Sequence, residues 1–345
     1  MTLMLEEIHQ QPQAFARAVE QESAKVFVLA EAIRARQIRQ VVIAARGTSD
    51  HAATYAKYLI EIYCGVPVSL AAPSVYTLYS TKVDLSGCLV IGISQSGQAL
   101  DVVQTLHSAQ EAGALTACIT NVQDSALTKV SDFALYCTAG EELAVAATKT
   151  YTTSLMLVAL LVAHWSGSST LLEGLKQLPE QASRVLSVAK TIETVVERYR
   201  YIQECAVLAR GLNQATALEA ALKMTETSYL MAKAYSMADF LHGPIAIVSE
   251  GFPCFLYAPD GHAYASMVEL AQKLQTRGAE MVIFARSPEI LELATRPITI
   301  PVEVPESLSP ILYILPGQLW ANYLSVARGQ NPDRPRGLTK VTLTR

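Results

Sequence analysis

Apolar residues recur along this chain with two different periods. Ile8, Phe15, Val19, Val26, Leu29 and Ile33 fall at helical spacing, so residues 1–38 are expected to be helical. Beyond them, short β-rich runs at Val41–Ala45, Val68–Ala72, Cys88–Ile93, Leu115–Thr120 and Phe133–Cys137 alternate with helix-like segments near 50–63, 98–112 and 148–165. Continuous apolar runs predict strands buried on both faces, and their alternation with helices predicts a parallel sheet covered on both sides. A helical connector is expected over 167–200, opened by Gly167-Ser168-Ser169. The alternation then restarts with strands at Cys205–Ala209, Pro253–Ala258, Met281–Ala285 and Ile298–Val302, and helices near 214–230, 264–276 and 309–327. Asn331–Gly337 predicts no regular structure.

The two halves read as copies of one unit. Val42-Ile43-Ala44-Ala45-Arg46-Gly47 matches Ala206-Val207-Leu208-Ala209-Arg210-Gly211 in residue type, and each run leads into an Ala-rich helix. The expected fold class is therefore α/β: two tandem, doubly wound, flavodoxin-like parallel sheets, at 39–166 and 201–330. The helical segment 1–38, the connector 167–200 and an irregular tail 331–345 complete the chain. In such sheets ligands bind beyond the carboxyl ends of the strands, so the loops after Ala45, Ile93 and Cys137 are where chemistry is expected.

Composition narrows the class. The chain has 345 residues, 51% of them apolar and 17% charged, which excludes intrinsic disorder. With 27 basic against 31 acidic residues it carries a net charge of −4, so no nucleic-acid partner is expected. The apolar stretch Leu155–Ala163 falls short of the roughly 20 residues that span a bilayer. Acidic residues near the N-terminus argue against a signal peptide, and no membrane partner is expected. Six singly scattered cysteines, Cys64, Cys88, Cys118, Cys137, Cys205 and Cys254, read as free thiols in a cytoplasmic protein.

Two loops suit a phosphate monoester. Arg46-Gly47-Thr48-Ser49-Asp50-His51 and Ser94-Gln95-Ser96-Gly97-Gln98 each follow a buried strand and open a helix. Such turns present free backbone N–H groups and the positive end of the helix dipole, and Thr48, Ser49, Ser94 and Ser96 add hydroxyls. Simple helix capping is the alternative for each loop alone; two hydroxyl-rich loops at adjacent strand ends favour a ligand. The corresponding loop of the second half, Leu212-Asn213-Gln214, lacks those hydroxyls, so one phosphate site per chain is expected, in the first half. Neither G-x-x-x-x-G-K-[ST] nor G-x-G-x-x-G occurs, which weakens nucleotide readings. A third loop, Ala139–Lys149, has two readings: Thr148 caps a helix and Lys149 is solvated, or the loop closes over a sugar.

Acid–base candidates lie in the second half. Glu219, Lys223 and Glu226 share one helix face by their spacings of four and three. An ordinary surface ion pair between Glu219 and Lys223 is as good a reading as a functional one. Glu226 sits in a helix otherwise rich in Ala, Leu and Met, and partial burial there would suit a general base. His242 is held in a loop by Gly243-Pro244, which cannot continue a helix. No histidine pair has metal-ligand spacing and H-E-x-x-H is absent, so no metal site is expected. Lys340, near the C-terminus, reads on its own as a solvated lysine.

Taken together these residues resemble the tandem sugar isomerase (SIS) family. The matching pieces are Gly47-Thr48-Ser49, Ser94-Gln95-Ser96-Gly97, Ala146-Ala147-Thr148-Lys149, Leu218–Glu226, His242-Gly243-Pro244 and Pro335–Lys340, in the family's order over nearly the whole chain. The chain is similar to the isomerase half of glutamine–fructose-6-phosphate aminotransferase. The resemblance implies a sugar-phosphate substrate and no cofactor. It also implies that Thr48, Ser49, Ser94, Gln95 and Ser96 bind phosphate and sugar, with Val145 and Lys223 lining the pocket. Glu226 would move a proton between C1 and C2 of the open-chain sugar. His242 would assist ring opening from a neighbouring subunit, implying a homodimer, and Lys340 would sit at the carbonyl end.

Departures from the synthase pattern bear on the reaction. With the start Met1-Thr2-Leu3 no glutaminase domain is expected, S-Q-S-G-E-T becomes Ser94-Gln95-Ser96-Gly97-Gln98-Ala99, and Ala147 replaces a serine. Gly140-Glu141-Glu142, Ala146-Ala147-Thr148-Lys149, Phe240–Pro244 and Leu338–Thr342 look more like the stand-alone SIS-type glucosamine-6-phosphate deaminases. The expected reaction is therefore glucosamine 6-phosphate to fructose 6-phosphate plus ammonia. The alternatives are a synthase-type isomerase without its glutaminase domain, a galactosamine-6-phosphate deaminase, a sugar-phosphate deglycase, and a sugar-phosphate sensor without turnover.

Overall fold

The computed structural model describes residues 1–340; Val341 to Arg345, the end of the expected tail, lie outside the described residues. The chain forms two compact units. One comprises Gln10–Glu142 and Lys149–Pro179, with Thr339 and Lys340; the other comprises Met1–His9, Leu143–Thr148 and Glu180–Leu338.

The first unit is built on five parallel strands: β1 (Gln40–Ala44), β2 (Val68–Leu70), β3 (Cys88–Ile93), β4 (Leu115–Thr120) and β5 (Phe133–Tyr136), in the order β2-β1-β3-β4-β5. Register runs Val41 to Val68, Val41 to Leu89, Leu89 to Leu115 and Ala117 to Phe133. Every residue of β3 and β4 is buried, as their unbroken apolar runs require of strands covered on both faces. On one face Val42, Ala44, Val90 and Cys118 pack with Val102, Leu106 and Ala109 of the Leu100–Glu111 helix. The Lys149–Ser166 helix packs against the helices Gln11–Ala35 and Thr48–Cys64 and is buried from Lys149 through Ala163. A helix apolar on all sides is a core helix. Among the described residues no helix is long and apolar enough to cross a membrane.

The second unit repeats the topology. Its strands are β6 (Glu204–Ala209), β7 (Met231–Ser236), β8 (Pro253–Ala258), β9 (Glu280–Ala285) and β10 (Arg296–Thr299), all parallel, ordered β10-β9-β8-β6-β7. Relative to the first strand of each unit this is the same 2-1-3-4-5 order, and it bears out the doubly wound, flavodoxin-like expectation. Trp320 of the buried Ser309–Ala327 helix packs edge-on against Tyr199, Phe255 and Phe284, whose rings fill the core on that side of the sheet.

Two strand expectations are corrected. Met231–Ser236 forms a strand that the hydrophobic pattern does not predict; it is an edge strand with no β-branched residue, and it lacks the apolar run that marks the inner strands. The run expected as a strand over Ile298–Val302 pairs instead over Arg296–Thr299, because an edge strand tolerates Pro297.

Candidate active site

In the first unit, β1 connects to β2 on one side and β3 lies on the other, so the strand order reverses between β1 and β3. Ala44 stands opposite Gly92 in the register, and the Arg46–His51 and Ser94–Gln98 loops therefore leave neighbouring strand ends. This is the switch-point position at which open α/β sheets bind ligands. Gly47 turns the chain with φ 54° and ψ −128°, a conformation side chains resist, and the helix begins at Thr48.

The second loop is organised by its carbonyls. Gln95 O accepts from the N–H of Asn121 and the Thr120 hydroxyl (3.0 and 3.3 Å), and Gly97 O accepts from the N–H of Leu127 (3.0 Å). The backbone N–H groups of Gly47, Gln95 and Ser96 meet no acceptor among the described residues. Gly97 has φ +62°, and a Cβ there would collide with the Ser125 side chain and crowd Thr120 Oγ1 at 3.0 Å. The turn can thus be made only by glycine. Ser94 is buried, while Thr48, Ser49, Gln95 and Ser96 are half-buried. Free N–H groups, hydroxyls and two helix N-termini at one strand end form an arrangement suited to a phosphate. The corresponding loop of the second unit is filled from within: Asn213, buried, donates to Ser309 Oγ (2.7 Å) and accepts from the Thr216 hydroxyl (2.9 Å).

In the second unit the Gln214–Ser228 helix carries three charges in one cluster. The Lys223 ammonium lies 2.7 Å from Glu226 Oε2 and 3.4 Å from Glu219 Oε1. Lys223 and Glu219 are fully buried, which corrects the surface ion-pair reading. Burial opposes the charge on Lys223, but Glu219 and Glu226 more than offset it and hold the ammonium above the ordinary lysine value. Two carboxylates thus share one ammonium. Only Glu226, with its side chain 24% exposed, reaches solvent appreciably. It is the member placed to exchange a proton with a small molecule, while Lys223 stays paired with Glu219.

His242 follows the short Met237–Leu241 helix, its N–H donating to Asp239 O (3.1 Å), and Gly243 with φ 136° turns the chain away. Its ring is exposed and makes no hydrogen bond among the described residues. Val145 is half-buried, and its N–H donates to Asp333 O (3.1 Å). Asp333 in turn accepts from the N–H groups of Leu3 and Met4 (3.0 and 2.8 Å). Further along the tail the Arg336 N–H donates to the Tyr229 hydroxyl (2.9 Å), with the guanidinium 4.1 Å over that ring.

Two lysines differ from their solvated readings. Lys149 is buried and donates to Gln10 Oε1 (2.7 Å) and Glu141 O (2.5 Å). Lys340 donates to Glu142 Oε2 at 2.8 Å. The Glu142 carboxylate, itself fully buried, also accepts from the Thr150 N–H (3.1 Å) and hydroxyl (2.8 Å). Sequence reasoning assigns Glu142 no role; it stands only inside the Gly140-Glu141-Glu142 match, and an acid between a glycine and an apolar run is the available signal.

Known proteins decide the family. The SIS domain matches residues 35–164 and again 203–328. This chain belongs to the SIS family, with two such domains in tandem. It is 34% identical over 98% of its length to a glutamine–fructose-6-phosphate aminotransferase of Pseudomonas putida, of which it covers 58%. The chain thus spans a little over half the length of the curated relatives it matches. The C-terminal domain of the corresponding Francisella tularensis enzyme superposes with a TM-score of 0.85 at 28% identity, covering 97% of this chain and 98% of that one. A Thermotoga maritima glucosamine-6-phosphate deaminase superposes with a TM-score of 0.79 over 99% of this SIS chain and 100% of its own. At 22% identity that likeness shows the fold alone.

Proposed function

We propose that this SIS protein is a phosphosugar isomerase acting on a hexosamine 6-phosphate, with Glu226 carrying a proton between C2 and C1 of the open-chain sugar. The Glu219–Lys223–Glu226 cluster supports the reading best. Its shared ammonium and its one partly exposed carboxylate suit a group that takes up a proton and returns it one carbon away. Thr48, Ser49, Ser94, Gln95 and Ser96, with the free N–H groups of their loops, bind the phosphate and sugar, and Val145 and Lys223 line the pocket. His242 assists ring opening from the neighbouring subunit of a homodimer; its exposed, unengaged ring suits that role. Lys340 serves the carbonyl end of the sugar, positioned by Glu142.

The net reaction in this reading is deamination. Glu226 removes the C2 proton of glucosamine 6-phosphate and delivers it to C1. The resulting C2 imine takes up water, releasing ammonia and fructose 6-phosphate. Anchoring and acid–base transfer supply the rate. An aminotransferase-like reaction is the second reading, favoured by the 34% identity to the Pseudomonas putida enzyme. It uses the same proton transfer with nitrogen entering instead of leaving.

Ammonia release from glucosamine 6-phosphate and galactosamine 6-phosphate, with synthesis from fructose 6-phosphate plus ammonium as the reverse arm, separates these readings. Glu226→Gln is expected to fold and lose about 10²- to 10⁴-fold in kcat in either direction. A folded Glu226→Gln protein with full turnover would refute the proton-transfer role. Tight sugar-phosphate binding with no turnover in any arm would make the chain a sensor.

A further inference from the structure

Arg46 and Asp101 are the charged residues that join the two phosphate-type loops, and neither is among the substrate-binding residues that the family resemblance implies. Arg46 precedes Gly47-Thr48-Ser49 directly, and Asp101 lies in the first turn of the Leu100–Glu111 helix, just past the Ser94–Gln98 turn. Arg46 Nε donates to Asp101 Oδ2 at 2.6 Å. The Asp101 side chain is 2% exposed, and its second oxygen accepts from the Val102 N–H at 2.9 Å. The Arg46 side chain is 51% exposed, and its two terminal nitrogens meet no acceptor among the described residues.

A carboxylate buried beneath an anion site is an electrostatic liability. Asp101 would repel a phosphate dianion bound at the neighbouring helix N-termini, and half-buried Asp50 adds a second acid to the Arg46–His51 loop. Arg46 answers the first charge through Nε alone. The planar guanidinium then keeps a fixed orientation with its remaining N–H donors available, the geometry by which arginine binds oxyanions. We propose that Arg46 is the cationic member of the phosphate site, a substrate-binding residue held in place by Asp101 as its positioning residue. The ligand class is a dianionic phosphate monoester, and the inference rests on the phosphate reading of these loops.

Calorimetric titration of the full chain with glucosamine 6-phosphate, unphosphorylated glucosamine and inorganic phosphate tests it. Wild type is compared with Arg46→Gln, Arg46→Lys, Arg46→Gln/Asp101→Asn and, as a loop control, Ser96→Ala. Arg46→Gln should weaken glucosamine 6-phosphate and inorganic phosphate about tenfold or more, the weight of one charge-assisted contact, and leave glucosamine unchanged. Arg46→Lys should recover part of that loss. Arg46→Gln also leaves Asp101 buried without its partner and should lower Tm. The double variant removes that charge and should restore Tm without restoring affinity. Should the double variant recover full phosphate affinity, Arg46 is a structural tie only and the proposal falls. It also falls if Arg46→Gln binds normally while Ser96→Ala does not, which leaves the phosphate reading intact. Failure of wild type to prefer glucosamine 6-phosphate over glucosamine removes the phosphate reading itself. Where Arg46→Gln does not fold, the Arg46→Lys and double variants distinguish the same outcomes.

Discussion

Replacing Lys223 with methionine removes one positive charge from a site that water cannot reach and leaves its volume nearly unchanged. The structure fixes what remains. Glu219, fully buried, loses the ammonium at 3.4 Å, and Glu226 loses the one at 2.7 Å. Glu226, 24% exposed, can turn toward solvent; Glu219 cannot. Breaking a buried ion pair from one side costs about 3–5 kcal/mol, because the remaining buried charge loses its counter-charge. That is a large part of the ~5–15 kcal/mol by which a domain is folded. The cost has a signature in the companion variant. Glu219→Gln/Lys223→Met removes both buried charges and should regain about 2 kcal/mol or more over Lys223→Met alone. Urea unfolding followed by circular dichroism measures both variants. A Lys223→Met deficit below about 1 kcal/mol, or a double variant no more stable than Lys223→Met, would show that the cluster is not held as described.

Three further outcomes are expected. Gly97→Ala forces a side chain into the space held by Ser125 and into a left-handed backbone, and should cost about 2 kcal/mol or more and abolish sugar-phosphate binding, read by thermal melting with and without ligand. All six cysteines are free thiols, with burial pushing Cys118 and Cys137 up to about 11 and Cys64 up to about 12. Ellman's reagent at pH 8 should therefore titrate half-buried Cys64 slowly if at all, and six thiols only after denaturation. Burial opposes ionisation of Glu280, but hydrogen bonds from Arg198 and Tyr199 (2.8 and 2.9 Å) hold its carboxyl below the ordinary glutamate range. Its contribution is present above the unfolded value of about 4.3 and is lost as pH falls through the lower folded value. Arg198 is largely exposed, so Glu280→Gln should cost about 1 kcal/mol at pH 7, and denaturant melts should find that difference disappearing as the pH is brought below the lowered folded value.

What can be read from the sequence follows from which forces act locally. β3 and β4 are legible because a strand buried on both faces must be apolar at every position, and Cys88–Ile93 and Leu115–Thr120 are. β7 is not, because an edge strand half open to solvent has no such requirement; no residue of Met231-Ala232-Lys233-Ala234-Tyr235-Ser236 is fully buried. Its counterpart β2, at the same place in the first copy, is the signal that could have found it. Spacing places Glu219, Lys223 and Glu226 on one helix face, as observed, but cannot say whether that face meets water. Burial there is set by the Ser309–Ala327 helix, nearly a hundred residues on, which packs against the Gln214–Ser228 helix. Lys340 is legible as chemistry only through family resemblance, because its partner Glu142 lies 198 positions away.

The duplication shows how one backbone plan can be given two kinds of chemistry. Both copies send their first strand into a glycine of positive φ, Gly47 at 54° and Gly211 at 61°, each preceded by an arginine. After Gly47 the residues are short and hydroxylated, and the N–H of Gly47 itself meets no acceptor among the described residues. After Gly211, the Asn213 side chain closes the same position with bonds to Ser309 and Thr216, and Leu212-Asn213-Gln214 carries no hydroxyl. The second copy instead carries its charge well down the following helix, where packing buries Glu219 and Lys223 and leaves Glu226 partly open. Anion recognition depends on N–H groups that only the start of a helix leaves unbonded. Proton transfer depends on a carboxylate whose surroundings control its charge, which the interior of a helix supplies through its neighbours at three and four residues. In the function proposed above, dividing the tasks between two copies lets each use the part of the helix whose physics suits it. Transplanting Thr48-Ser49 into the Asn213 position should accordingly cost stability, through the lost Ser309 and Thr216 bonds, without creating a second phosphate site.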